Sequence, residues 1–109
     1  MVHRRNKGRD GRAELVRILK DRGWEPHKSY DGIISDDLVV VDTEGKQWSC
    51  EVKNTRMIDN SPSPNSHKSQ AKKQAKARGS PWMLASKIYG SRWWLIQRQG
   101  KDPELWETV

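Results

Sequence analysis

The chain has 109 residues, a length that ordinarily makes one domain with one core. Lysine and arginine number 21 against 14 aspartate and glutamate residues, so the formal net charge is +7 and we expect an anionic partner. The single cysteine excludes an internal disulfide, and no stretch is apolar and long enough for a signal peptide or membrane span. We therefore expect a soluble, cytoplasmic protein.

The N-terminal part divides into a basic arm and a helix. Residues 1–9 (MVHRRNKGR) contain almost nothing to bury, and we expect a flexible arm that binds phosphate. Between Asp10 and Gly23, which is a stop signal, apolar residues recur at helical spacing: Ala13, Leu15, Val16, Ile18 and Leu19. The pattern predicts an arm over 1–9 and one folded domain over 10–109.

Strand patterns follow the first helix. Residues 24–30 can form a short strand, Asp31-Gly32 is typical of a turn, residues 38–41 are a β-branched run, and residues 47–53 alternate. A Pro/Ser loop and further elements occupy the second half.

That second half begins with the loop over residues 60–66, which leads into a basic helix over 67–78. Two further strand patterns cover residues 82–87 and 92–98, and the tail after Gly100 has no clear pattern. The resulting order α-β-β-β-α-β-β predicts one mixed sheet flanked by helices.

The turn between the second and third strands sets their register. A three-residue loop over 43–45 would place glycine at the left-handed position of a bulged hairpin turn, with Asp42 paired to Lys46. Counting back along the ladder then places Asp37 opposite Glu51 on one face of the sheet. The other face collects apolar side chains that can pack under the first helix: Leu38, Val40, Trp48, Cys50 and Val52.

Asp37, Glu51 and Lys53 suit the cleavage of a phosphodiester bond. Hydrolysis needs a nucleophile made from water and neutralisation of the charge on phosphate, which Mg²⁺ held by carboxylates provides. Lys53 would orient the attacking water or stabilise the charge of the transition state. A second Glu-x-Lys tripeptide, Glu44 to Lys46, falls in the predicted turn and is assigned to the solvated loop.

These features in this order resemble the PD-(D/E)xK nuclease superfamily. The resemblance is carried by the first helix, by residues 35–41 (SDDLVVV) and by residues 49–54 (SCEVKN). The small size, the basic Lys-Gly arm and the Gly23-Trp24 pair that closes the helix are similar to the archaeal-type Holliday junction resolvases. The resemblance spans roughly residues 7–87 and implies an α/β, restriction-endonuclease-like fold with a mixed central β-sheet flanked by helices in a single small domain.

The resemblance also implies a function. Such a protein would be a Mg²⁺-dependent, structure-selective endonuclease of DNA recombination and repair, with Mn²⁺ able to replace Mg²⁺. It would act as a homodimer that nicks two opposed strands of a four-way DNA junction, and it would have no membrane partner. The implied metal ligands are Asp37, Glu51, the backbone of Val52, and Glu14.

Two positions differ from the pattern of the resolvases, and a third resembles another branch of the superfamily. Asp36 stands where the family has a proline before Asp37. When Gly23 is aligned with the family's glycine, Arg12 falls at the position of the glutamate in the first helix, and Glu14 is expected to substitute for it. Gln70 resembles the helix glutamine of VRR-Nuc and related branches, so it joins Asp37, Glu51, Lys53 and Glu14 as a candidate catalytic residue.

A basic stripe on the second helix is a candidate DNA contact. Lys68, Lys72 and Lys76 follow each other at four-residue spacing, and several cations facing one duplex release counterions together. The predicted nucleic-acid-binding residues are Arg4, Arg5, Lys7, Arg9, Arg12, Lys28, Ser29, Lys68, Lys72, Lys73 and Lys76.

Other functions remain open from the sequence. The same site could cut flaps or single strands, as VRR-Nuc-like nucleases imply, or the chain could be a non-catalytic DNA-binding module that stacks bases on Trp93 and Trp94. If the protein is a dimer, exposed Trp93, Trp94 or Trp106 would supply the apolar contact.

Overall fold

The structure, a computed structural model, describes residues 3–29, 36–57, 63–88 and 90–108, and from residue 11 onward it describes side chains as well as backbone. The predicted turn at Asp31-Gly32 lies outside the described residues, as do residues 60–62 of the predicted Pro/Ser loop. Neither helix of the described chain is long and apolar enough to span a membrane.

One six-stranded sheet forms the centre of the described chain. Its strands follow each other in sequence order across the sheet, and among the described pairs the third and fourth strands are parallel while the others are antiparallel. The elements are α1 (His3–Asp21), β1 (Glu25–Lys28), β2 (Leu38–Val41), β3 (Gln47–Thr55), α2 (His67–Arg78), β4 (Trp82–Ile88), β5 (Trp93–Arg98) and β6 (Glu104–Glu107). The predicted mixed sheet with flanking helices is confirmed.

The helix α1 begins at His3 and not at Asp10, so the predicted boundary between arm and helix is wrong. Extending an existing helix gains one hydrogen bond for each residue fixed, so a polar segment can join a helix without burying any side chain. The apolar spacing marks only the part of the helix that packs on the sheet. Residues 3–9 therefore continue α1 toward its N-terminus.

The register of the β2–β3 hairpin is the predicted one. Val40 pairs with Trp48 and Leu38 with Cys50, and Gly45 adopts a left-handed conformation with φ of +83°. The N–H of Asp42 donates to the carbonyl of Lys46 at 2.9 Å.

The predicted apolar face packs against α1. Leu38, Val40, Trp48 and Cys50 are buried there, and Val52 is partly buried against the same cluster. From α1 the cluster receives Leu15, Ile18 and Leu19, and from the later strands Met83, Ala85, Trp94, Ile96 and Trp106. Each large apolar side chain buried in this way stabilises the fold by roughly 1.5–3 kcal/mol before its loss of conformational freedom. Cys50 is fully buried in this core, and burial raises the pKa of its thiol, with further raising by the charges of Asp37 and Glu51.

The helix α2 covers the opposite face of the sheet over β3 and β4, to which it forms the parallel crossover. Its buried residues are Ala71 and Ala75, small side chains that let the helix lie close to the strands. Ser66 caps its N-terminus by accepting a hydrogen bond from the N–H of Ser69, and Gly79 ends it in the left-handed conformation. Two covering helices explain why the middle of β3 is buried on both faces.

Strand β6 (Glu104–Glu107) forms from the tail, where no strand was predicted. Trp106 is its one buried residue, so the strand is too short to show an alternating pattern. Trp106 pairs with Trp94 of β5 and meets Trp24 in an edge-to-face contact with ring centroids 5.5 Å apart. Long-range packing of tryptophans therefore forms this strand, and local sequence does not reveal it.

Gly11 marks the closest approach of α1 to β3. A Cβ added at this position would lie 2.7 Å from the Cβ of Asn54, a separation that real Cβ atoms do not show. Glycine at this point of the helix therefore lets α1 cross the end of β3.

We predict that Gly11→Ala destabilises the protein by about 1–3 kcal/mol, because the helix must move away from Asn54. In an open helix the same change would stabilise by about 1 kcal/mol, so the sign of the effect tests the contact. Urea unfolding followed by circular dichroism measures the free energy of unfolding. A more stable Gly11→Ala protein would contradict the close approach.

Candidate active site

Asp37 is held at the beginning of β2 by two backbone contacts with β3. Its N–H donates to the carbonyl of Cys50 at 3.1 Å, which continues the hairpin ladder. Its carboxylate Oδ2 accepts a hydrogen bond from the N–H of Val52 at 2.8 Å. The carboxylate is thereby fixed beside β3 at the level of Glu51.

Glu51 lies on β3 directly after Cys50, the residue that pairs with Leu38 and accepts the N–H of Asp37, and it is buried. The pKa of Glu51 is raised to about 8, first by burial and then by the negative charge of Asp37 and a hydrogen bond with it, against a lowering effect of Lys53. Two adjacent carboxylates cannot both ionise cheaply in a buried place, so Glu51 keeps its proton near neutral pH when no cation is present.

Two basic side chains flank this acid pair from different elements. Lys53 Nζ lies 3.8 Å from Glu51 Oε1, and Arg12 Nη1 of α1 lies 3.8 Å from Asp37 Oδ1. Both distances are ion-pair contacts that are too long for hydrogen bonds. The structure thus brings Asp37, Glu51 and Lys53 together, as the sequence predicted, and adds Arg12 to them.

The acid pair has donors that suit one divalent cation. Hard cations such as Mg²⁺ prefer carboxylate and carbonyl oxygens and keep several waters. The N–H of Val52 points to Asp37, and the N–H and C=O of one strand residue point to the same side, so the Val52 carbonyl is directed there as well. Among the described residues, no group of three or more His, Cys, Asp or Glu side chains could hold a metal ion.

Asp36, the residue in the place of the family's proline, forms a buried ion pair with Arg78 at the end of α2. Arg78 donates to both carboxylate oxygens at 2.7 and 3.1 Å, and Ser49 Oγ donates to one of them at 2.9 Å. Burial alone would raise the pKa of Asp36, but hydrogen bonds from Arg78, Ser29 and Ser49 and the charge of Arg78 outweigh it and lower the pKa.

No positioning role was predicted for Arg78, because its partner Asp36 is far away in the sequence. A basic residue in the last turn of a helix usually caps the helix or is exposed to solvent. Only the βαβ crossover brings it to the residue next to Asp37. Arg78 also binds Ser29, a predicted DNA contact. The hydroxyl of Ser29 accepts a hydrogen bond from Arg78 at 2.7 Å.

Glu14, the expected substitute for the family's helix glutamate, does not meet the acid pair. Its carboxylate accepts hydrogen bonds from Lys87 Nζ at 2.9 and 3.0 Å and from Trp94 Nε1 at 2.9 Å. Arg12 and Glu14 lie two positions apart on α1, a rotation of roughly 200°, so one helix cannot turn both toward Asp37.

Gln70, the other candidate from α2, is also engaged away from the acid pair. Its amide nitrogen donates to the backbone carbonyl of Asn65 at 2.9 Å and thus fastens the loop that precedes the helix.

The predicted DNA-binding residues lie in different environments. Lys72, Lys73 and Lys76 are exposed on α2, and Lys28 is exposed at the end of β1. The ammonium groups of Lys68 and Lys72 lie 5.7 and 5.8 Å from the ring centroid of Trp82. The structure describes only the backbone at Arg4, Arg5, Lys7 and Arg9, where it is helical.

A six-stranded mixed sheet, with an acid pair at the β2–β3 hairpin and a helix on each face, defines the class of fold. The chain has the fold of a Holliday junction resolvase of known structure.

The structure is similar to that of Hjc, a Holliday junction resolvase from the archaeal hyperthermophile Archaeoglobus fulgidus. The TM-score is 0.61, and the likeness covers 92% of this chain and 88% of that one at 16% sequence identity. No family model and no curated protein matches the sequence. At this identity the likeness shows the fold, and the activity has to be argued from the site.

We predict that Glu51→Gln stabilises the protein at pH 7 without divalent cations, by on the order of 2 kcal/mol. A carboxyl group with a raised pKa is neutral in the fold, so its stabilising contribution is complete below pH 4.5 and is lost as pH rises to about 8. The side-chain amide of the Glu51→Gln variant does not ionise, so the variant does not lose this stability as pH rises. Unfolding measured from pH 5 to pH 8 should show a growing gap in stability between the two proteins, and a constant gap would contradict the raised pKa of Glu51.

Proposed function

We propose that the protein is a Mg²⁺-dependent, structure-selective DNA endonuclease that nicks four-way junctions in recombination and repair. One observation carries the proposal: Asp37, Glu51 and Lys53 converge on the β2–β3 hairpin of a resolvase-type fold. This is the arrangement that metal-assisted hydrolysis of a phosphodiester requires.

Each residue of the site has a separate role. Asp37, Glu51 and the Val52 carbonyl would hold the cation, which would polarise the phosphate and lower the pKa of water. Glu51 would have to be ionised to hold it, since metal ligands must be deprotonated. Lys53 then stabilises the negative charge that develops on the phosphate and orients the attacking water.

Basic residues on two sides of the site support DNA as the substrate. Arg12 stands beside Asp37, and the exposed lysines Lys72, Lys73 and Lys76 lie on α2. Phosphate contacts of this kind give affinity that falls steeply with salt concentration. The formal net charge of +7 has the same sign as this surface.

A homodimer would place two such sites on one junction. The sheet face covered by α2 at β3 and β4 continues over the end of β4 and over β5 and β6. On it Ile88 of β4, Trp93 of β5 and Leu105 of β6 are exposed by 46%, 45% and 63%. Trp94 and Trp106 are buried on the other face, so of the three tryptophans expected at the dimer contact only Trp93 can reach a partner.

A non-catalytic DNA-binding module is the second candidate function. Arg12, a basic residue, faces Asp37 from the position where the resolvases carry a glutamate, and this observation favours it. The module would bind junctions with the same basic surface and would cut none of them.

Incubation of a labelled four-way junction with the protein and Mg²⁺ should give symmetric nicks in opposed strands, with linear duplex cut far less. We expect Asp37→Asn and Lys53→Ala each to lower the cleavage rate constant at least 100-fold, because each removes a group that acts on the transition state. Lys101→Ala, which removes an exposed lysine, is the matched control and should cut like the wild type.

Binding to the junction without any cleavage in Mg²⁺ or Mn²⁺ would exclude the endonuclease and leave the DNA-binding module. Cleavage of flaps or single strands in preference to junctions would retain the chemistry and change the substrate.

We further predict that Leu105→Glu shifts the protein from dimer to monomer in sedimentation at micromolar concentration, because a buried carboxylate would face the apolar contact. Met57→Glu is the matched control, since Met57 is 77% exposed outside the β5–β6 face. Wild-type protein that sediments as a monomer would refute the dimer.

A further inference from the structure

Arg12 is held only loosely beside the acid pair. Among the described residues its contact with Asp37 is a loose ion pair at 3.8 Å, and the side chain is 38% exposed. A bidentate arginine–carboxylate pair has donors at about 2.7–2.9 Å. In contrast, Arg78 meets Asp36 at 2.7 Å, so the two arginines next to the site are held in very different ways.

Among the residues whose side chains the structure describes, the acids closest in sequence that could add a third carboxylate are bound by other groups. Glu14 is bound to Lys87 and Trp94, and Asp36 is bound to Arg78 and Ser49. A pair of divalent ions lies about 3.5–4 Å apart and needs carboxylates on both of its sides. Here the α1 side of Asp37 carries the guanidinium of Arg12.

An open groove continues from Arg12 away from the acid pair. It has a volume of about 330 Å³ and is lined by Arg12, Ala13, Val16, Lys28 and Leu38. The lining combines two cations with three apolar side chains, which suits a nucleotide with its phosphate on the cations and its sugar or base on the apolar surface. Leu38 follows Asp37 directly in the chain, so a DNA strand bound in this groove would lead to the acid pair.

We propose that the site holds a single divalent cation and that Arg12 supplies the second positive charge, with its guanidinium on the scissile phosphate. This inference rests on the proposed nuclease function and specifies how the substrate is held. The guanidinium is always charged and has paired donors that match two phosphate oxygens. Its loose contact with Asp37 is exchanged for the phosphate when DNA and the cation are bound.

The proposal predicts opposite effects of one substitution on two measurements. Arg12→Gln removes a positive charge beside the cation, so Mn²⁺ binds more tightly in calorimetry without DNA, by on the order of tenfold. The same variant lacks the phosphate contact, so single-turnover cleavage of the junction at saturating Mg²⁺ falls about 100-fold. A merely structural role of Arg12 would weaken both.

Arg17→Gln is the matched control, because Arg17 is exposed on the same helix and carries the same charge. It should leave both measurements within about twofold of the wild type, as expected for an exposed charge outside the site.

The number of bound ions gives an independent readout. Wild type and Arg12→Gln should bind one Mn²⁺ per chain, and Arg12→Glu, which supplies the missing carboxylate, should bind two. Two ions on the wild type, one ion on Arg12→Glu, or weaker Mn²⁺ binding by Arg12→Gln would each overturn the inference.

The calorimetry separates this inference from the proposed function. If the wild type cuts no DNA, the endonuclease fails, and the metal stoichiometry and the affinity of Arg12→Gln still decide whether Arg12 occupies the place of a second ion. If the protein cuts and Arg12→Gln cuts equally well, the endonuclease stands and the role of Arg12 is refuted.

Discussion

The register of the β2–β3 hairpin is the constraint on which the rest of the structure depends. The carboxylate of Asp42 accepts hydrogen bonds from the N–H groups of Glu44 and Lys46, each at 2.9 Å, and Gly45 closes the turn. Because side chains alternate along a strand, a slip of one residue would send Asp37 and Glu51 to opposite faces and turn the core residues outward. A few bonds in an exposed turn thus fix both the core and the acid pair.

The carboxylates of the fold differ in how well neighbouring cations neutralise them. Asp36 and Glu14 are each neutralised by a cation within hydrogen-bond distance, so their burial is compensated. The ion-pair partners of Asp37 and Glu51, which are Arg12 and Lys53, lie at 3.8 Å, and the pKa of Glu51 is raised to about 8 by burial and by the charge of Asp37. The unbalanced charge is therefore concentrated at one place, as is common at functional sites.

The parts of the fold that the sequence predicted are those that local chemistry determines. The turn and the alternation of β3 set which residues share a face, so the meeting of Asp37 and Glu51 could be inferred without coordinates. Packing across the fold determines the rest. Strand β6, the ion pair of Arg78 with Asp36 and the binding of Glu14 by Lys87 all depend on elements that are far apart in sequence.

The burial of Cys50 has a practical consequence. Thiols react as thiolates, and this thiol is enclosed in the core with its pKa raised by burial and by the neighbouring carboxylates. The thiol of Cys50 should not react with maleimides in the native protein. A cysteine introduced on an exposed position would then be the single reactive point of this chain, so a fluorophore can be attached there while the wild-type core is kept intact.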